Sequence, residues 1–208
     1  MSAYTLLNKD KIVVGPRDWN PKFFEYFLQE LGFETTLTAP IIETLQFSDD
    51  VKLVITNIEQ NPEINPQLEV LAGPNFKYDE AGNHVAYFVA QELPIDTAKS
   101  NLRSIVANNR WVKETKPITR EINGKQLTLD TSRESRAIYA QALTFVPDEY
   151  SSQWKFAEGF VTINKTDLQV IVNEIINYVQ ECFDWEAGKV LEINTKSSIA
   201  ELKEIILE

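Results

Sequence analysis

The 208-residue chain holds one cysteine, Cys182, and one histidine, His84. A single cysteine excludes an intramolecular disulfide, and with it a small secreted domain stapled by bridges. Two soft or imidazole side chains in total fall short of the three or four that a structural zinc site needs. The seven glycines are scattered singly and read as turn residues, so no phosphate-cradling loop is present. No run of 18 apolar residues occurs, and no membrane-spanning helix is expected. The start, MSAYTLLNKDKIVV, lacks a basic region followed by an apolar core of roughly 7–15 residues. No signal peptide is therefore expected, and the chain is read as maturing in a cytosol.

Positive charge is also scarce: 20 basic residues face 31 acidic ones, a net charge of −11. A field of that sign opposes non-specific attraction to phosphate backbones and anionic membranes, so neither is expected as a partner. The imbalance is uneven. Residues 1–94 carry 6 basic and 14 acidic groups, 95–150 carry 9 and 7, and 151–208 carry 5 and 10. The middle segment reads as a basic helix between two acidic modules. What remains is ordinary for a globular chain, with 43% apolar and 25% charged residues and length enough to bury a core.

In chain order, residues 3–7 and 11–14 read as short strands around Asn8-Lys9-Asp10, and Gly15-Pro16 is expected to break the second. PKFFEYFLQELGF follows as a helix with Pro21 at its first position and Gly32 at its end. Strand-like stretches come next at 34–38, 41–47 and 51–58, then a loop at 60–66. Two apolar runs flanking residues 80–83 make a hairpin. Residues 95–116 have helical spacing. EINGKQLTL at 121–129 carries Asn-Gly, which demands positive φ at both turn residues. Thr131 with Glu134 reads as a capping box opening a further helix. WKFAEGFVTIN at 154–164 reads as two short strands, and Ser198 with Glu201 caps a short terminal helix. The expected fold is α+β: a mostly antiparallel module over 1–94, a connecting helix and hairpin over 95–129, and an α-rich module over 130–208 with one long helix.

That long helical stretch, from Lys165 to about Ile193, organises the chain. Leu168, Ile171, Val172, Ile175, Ile176, Val179 and Phe183 recur at three- and four-residue steps and build one apolar stripe. Asn164 or Thr166 can cap its start, and Gly188 can end or weaken it near the far end. The stripe reads first as the core face of a helix under a small sheet. Because the helix is longer than a domain of this size needs internally, the sharper reading is that part of it is a seam with another chain. Ile176, Cys182 and Trp185 are the expected partner-facing residues, Trp185 as the aromatic anchor.

No catalytic constellation stands out. His84 reads as a surface or satisfied strand histidine, and Cys182, beside Phe183, as a small buried apolar side chain that lacks a cationic sequence neighbour. Asp49-Asp50 and Asp79-Glu80 lack calcium-loop spacing. No carboxylate pair is singled out for acid–base work, although a hydrolase acting on host polysaccharide through such a pair is the enzyme alternative. No enzyme activity, cofactor or metal is expected.

The last eighty or so residues carry an ordered pattern. It consists of Thr131-Ser132-Arg133, Trp154-Lys155, Thr162 to Leu168, Phe183 to Glu186 with Glu192-Ile193, and a short capped helix containing Glu201-Leu202. In this pattern the chain resembles a domain of unknown function found at the C-termini of tailed-bacteriophage tail proteins. RWVKE at 110–114 and the β-rich first part are more loosely similar to virion structural or tail-fibre-associated proteins of marine or cyanobacterial phages. The resemblance implies a non-catalytic virion protein of the tail, at the fibre or baseplate. Its implied partners are other tail proteins or further copies of itself. A tail-fibre assembly chaperone is the alternative. No active residues belong to the pattern.

Overall fold

The computed structural model describes residues 2–207. The fold is α+β, and the chain divides into two compact units, one ending at Glu92 and the other starting at Leu93.

The first unit is a sheet with one helix on it. β1 (Ser2–Asn8) and β2 (Lys11–Arg17) form a hairpin, and α1 (Pro21–Glu30) follows, its first turn capped by Asn20. β3 (Leu45–Gln46) and β4 (Val51–Ile58) come next, then the long hairpin β5 (Glu69–Tyr78) and β6 (His84–Glu92). The strand order is β2-β1-β4-β6-β5, with β3 also on β4. Every pairing is antiparallel except β4 with β6, which is parallel over Thr56–Ile58. Phe24 and Leu28 of α1 are buried against Tyr4, Leu6, Val51 and Leu53.

Two expectations for this unit need correction. Gly15-Pro16 does not end β2; the strand passes through an irregularity in its pairing with β1. Gly15 has φ +116°, and a Cβ there would lie 2.5 Å from the Tyr4 carbonyl oxygen, so only glycine fits. Residues 34–38 form no strand, and of 41–47 only Leu45–Gln46 pairs. Leu37 and Ile41 are nevertheless buried in the core. The Leu37 amide donates to Glu25 Oε1 at 2.6 Å, so it needs no strand partner.

The second unit opens with α2 (Ile95–Glu114), the hairpin β7 (Ile118–Ile122) and β8 (Lys125–Leu129), and α3 (Arg133–Phe145). A hairpin of β9 (Ser151–Phe156) and β10 (Gly159–Asn164) then leads into α4 (Lys165–Thr195) and the short α5 (Ile199–Lys203). Asn123 and Gly124 have φ of 50° and 74°, as the Asn-Gly turn requires. Both hairpins deliver apolar side chains to α4: Ile122, Leu127, Leu129, Phe156 and Ile163 are buried with Leu168, Ile171 and Ile175.

The stretch 95–129, expected to connect two modules, is integral to this unit. α2 lies antiparallel on the second half of α4: Lys99 Nζ donates to the Asn194 carbonyl, and Tyr178 Oη donates to the Lys113 carbonyl. Ala98, Leu102 and Val106 are buried on α2. An amphipathic helix that long needs a covering face, and α4 supplies it.

Helix ends also differ in detail. Asn164 caps α4 in a reciprocal box with Asp167, and the helix runs through Gly188 to Thr195, close to the expected end near Ile193. Thr131 does not cap α3, because its hydroxyl donates to the Lys116 carbonyl at 2.8 Å. Ser132 takes the capping role, accepting from the Ser135 amide.

Candidate interaction site

On α4, Val172, Ile176, Val179 and Phe183 recur at steps of four, three and four. At 3.6 residues per turn they fall within an arc of about 60°. The buried set Ile171, Ile175 and Cys182 lies on an adjacent arc and points into the unit. On the first arc Ile176 and Phe183 face outward beside α3, while Val172 is buried and Val179 packs against the core. With Tyr139 and Ala140 of α3 this arc lines an open apolar groove of about 310 Å³, flanked by Arg136 and Gln180. Ile176 is 59% exposed and Phe183 44% exposed, so the groove's rim is in solvent.

The groove's wall is braced from behind. The Tyr139 ring stacks on Trp154 at 5.5 Å and 21°, and Trp154 Nε1 donates to Tyr150 Oη at 2.8 Å. Burial holds the Tyr139 phenol above its ordinary pKa, with the Asp130 charge adding to the rise. Asp130 is held below the usual carboxylate range because Ser135 and Ser132 donate to it, which ties down the first turn of α3.

At the Phe183 end lies a cluster of charges. Glu114, at the end of α2, is 1% exposed. Its Oε2 takes a short hydrogen bond from Arg110, and its Oε1 lies 3.4 Å from Arg136 and 3.9 Å from Arg133. Arg110 Nε also approaches Glu186 to 2.6 Å, as an ion pair without hydrogen-bond alignment. Two arginines sit on aromatic faces: Arg110 over Phe183 at 4.5 Å and Arg133 over Trp111 at 4.2 Å. Three cations thus share two carboxylates.

The three residues expected to face a partner do not form one surface. Ile176 lies on the groove. Cys182 is 1% exposed and therefore faces the interior; burial raises its thiol pKa, consistent with an inert side chain. The correction has a simple origin. The core stripe of α4 passes through Cys182 rather than Phe183 once α2 packs on that side. Trp185 is half-buried, about 180° around the helix from Ile176. It lines a separate shallow hollow with Val112, Lys113 and Leu207, with Lys113 Nζ 5.3 Å from its ring centre.

Arg136, Glu114 and Tyr139 were not foreseen as site residues. One signal was available: Arg133 and Arg136 fall in and just after the first turn of a helix, where cations oppose the dipole unless a carboxylate meets them.

His84 is buried, its Nδ1 2.8 Å from Thr56 Oγ1, which in turn bonds Thr5 Oγ1 at 2.7 Å. Its ring stacks on Phe76. Among the described residues, no group of three or more His, Cys, Asp or Glu side chains could hold a metal ion. Nor is any helix among them long and apolar enough to cross a membrane.

Residues 97–206 match the family described as Domain of unknown function (DUF4376), so the chain belongs to that family. The match covers α3, both hairpins of the second unit and all of α4, and so includes the groove. No curated protein and no solved structure matches the chain.

Proposed function

We propose that the protein is a non-catalytic structural component of a bacteriophage tail, associated with the fibre or baseplate, and that it works through protein–protein contacts. The observation that carries the contact part of this reading is the open groove between α3 and α4, with Ile176 and Phe183 in solvent at its rim. Exposed apolar side chains gathered on one preformed groove are what a helix-binding surface presents. The tail assignment is supported by the ordered landmarks from Thr131 to Leu202.

The test is quantitative mass spectrometry of purified particles from the phage encoding this chain. Stoichiometric presence is expected. Presence in infected-cell lysate with absence from particles would replace this reading with that of an assembly chaperone that leaves before maturation. Both readings use the same groove.

A further inference from the structure

We infer that the groove between α3 and α4 receives an amphipathic helix of another protein whose apolar ridge ends in a carboxylate, docked on Arg136. The inference rests on reading the groove as a protein-docking surface and adds the chemistry of the occupant.

Three observations support it. First, Val172, Ile176, Val179 and Phe183 have the four-three-four spacing of a helix-packing seam, spanning about 16 Å. A helix of three turns covers that length, and the braced Tyr139 wall fixes the groove's width before anything binds. Second, the groove is charged at one end only. Arg136 is the one charged side chain lining it, and among the described residues its side chain makes one polar contact, the long one to Glu114 Oε1 at 3.4 Å. Glu114 is already engaged by Arg110 through its other oxygen and approached by Arg133. Counting Glu186, the cluster carries one positive charge in excess. Arg136 keeps donors for a further acceptor, and a guanidinium receives a carboxylate in paired, charge-assisted bonds. Third, the outer flank of the seam is Gln169, Asn173, Asn177 and Gln180, with a single carboxylate, Asp184, at its Phe183 end. Asp184 lies about 80° around the helix from Ile176 and accepts from Gln180, and Glu186, as far around on the other side, is paired with Arg110. A partner helix therefore meets a flank whose one carboxylate is already bonded by Gln180, an apolar floor and a single lining cation, placed at the Phe183 end.

The probe is a pair of helix-stapled peptides with leucines at positions i, i+4, i+7 and i+11. They differ only in carrying glutamate or lysine one turn beyond the last leucine. Binding to the full chain is read by fluorescence anisotropy at low and at physiological salt. The glutamate peptide is expected to bind saturably and about tenfold more tightly than the lysine peptide, in line with one charge-assisted bond. Added salt should narrow the gap. Arg136→Gln should abolish the preference while keeping the far-UV circular dichroism of the parent, and Ile176→Asp should abolish binding of both peptides. Equal binding of the two peptides, or no binding of either, overturns the inference. So does a concentration-dependent dimer in sedimentation that Ile176→Asp dissolves, because the occupant would then be a second copy. These outcomes concern the isolated chain, so they are independent of whether the chain is found in particles.

Discussion

At the scale of single residues, the buried Glu114 carboxylate and the buried His84 ring make opposite demands. Glu114 is charged and compensated by arginines on two helices. Replacing it with glutamine leaves Arg110 and Arg136 facing each other without their shared anion, since Arg133 is mostly in solvent. Glu114→Gln is expected to lower stability in urea by about 3–5 kcal/mol, the usual cost of breaking a buried pair. A loss under about 1 kcal/mol would mean that water, not the carboxylate, screens the cluster. His84 is instead favoured in its neutral form: burial lowers its pKa, and the Lys52 charge adds to the effect. The unfolded chain then binds a proton more readily than the folded one. Stability is therefore complete above the ordinary histidine pKa of about 6.5 and declines as pH falls from there toward the lowered folded value. In His84→Gln, whose amide can still bond Thr56, that decline should disappear from stability measured between about pH 7.5 and 5.

At the scale of elements, α4 decides the second unit. Its reciprocal cap at Asn164 and Asp167 fixes where it starts. Gly188 sits in its interior with nothing within 4 Å of where a Cβ would be. Gly188→Ala is expected to stabilise the protein by about 0.5–1 kcal/mol, through the lower backbone entropy of alanine. Thermal unfolding should show the rise, and a loss would mean a neighbour fills that space in solution. Much of this element was legible in the sequence: the apolar spacing, the cap and the Asn-Gly hairpin are local signals, and each folds as its chemistry dictates. The rotation of the core stripe was not. Cys182 and Phe183 are neighbours, both apolar, and only the packing of α2 on that side places Cys182 inside and Phe183 on the groove. The sequence likewise shows Arg110 and Glu114 four residues apart on one helix. That Arg136, on another helix, meets the same carboxylate depends on how α2 and α3 both pack on α4, which no local pattern encodes. The strand expected at 34–38 failed for a related reason, since the Glu25 carboxylate of α1 satisfies the Leu37 amide.

At the scale of the whole molecule, a chain with net charge −11 keeps one surface groove whose only charged lining residue is an arginine. General repulsion of other anions makes that groove selective. A partner must bring apolar area to overcome the field, and an acid placed to meet Arg136 turns a liability into a specificity element. The half-buried Trp185 lies on the far side of α4, so the two surfaces can be perturbed separately. The central claim is that the α3–α4 groove is where this protein meets its partner in the tail. It is tested most directly by complementing a phage that lacks the chain with the Ile176→Asp variant and quantifying the chain in purified particles. Ile176 is 59% exposed, so the substitution should leave the isolated fold intact by circular dichroism and thermal midpoint. The account predicts a folded variant that is absent from particles, together with a loss of infectious titre. A folded variant incorporated at the wild-type level, with unchanged titre, would contradict it.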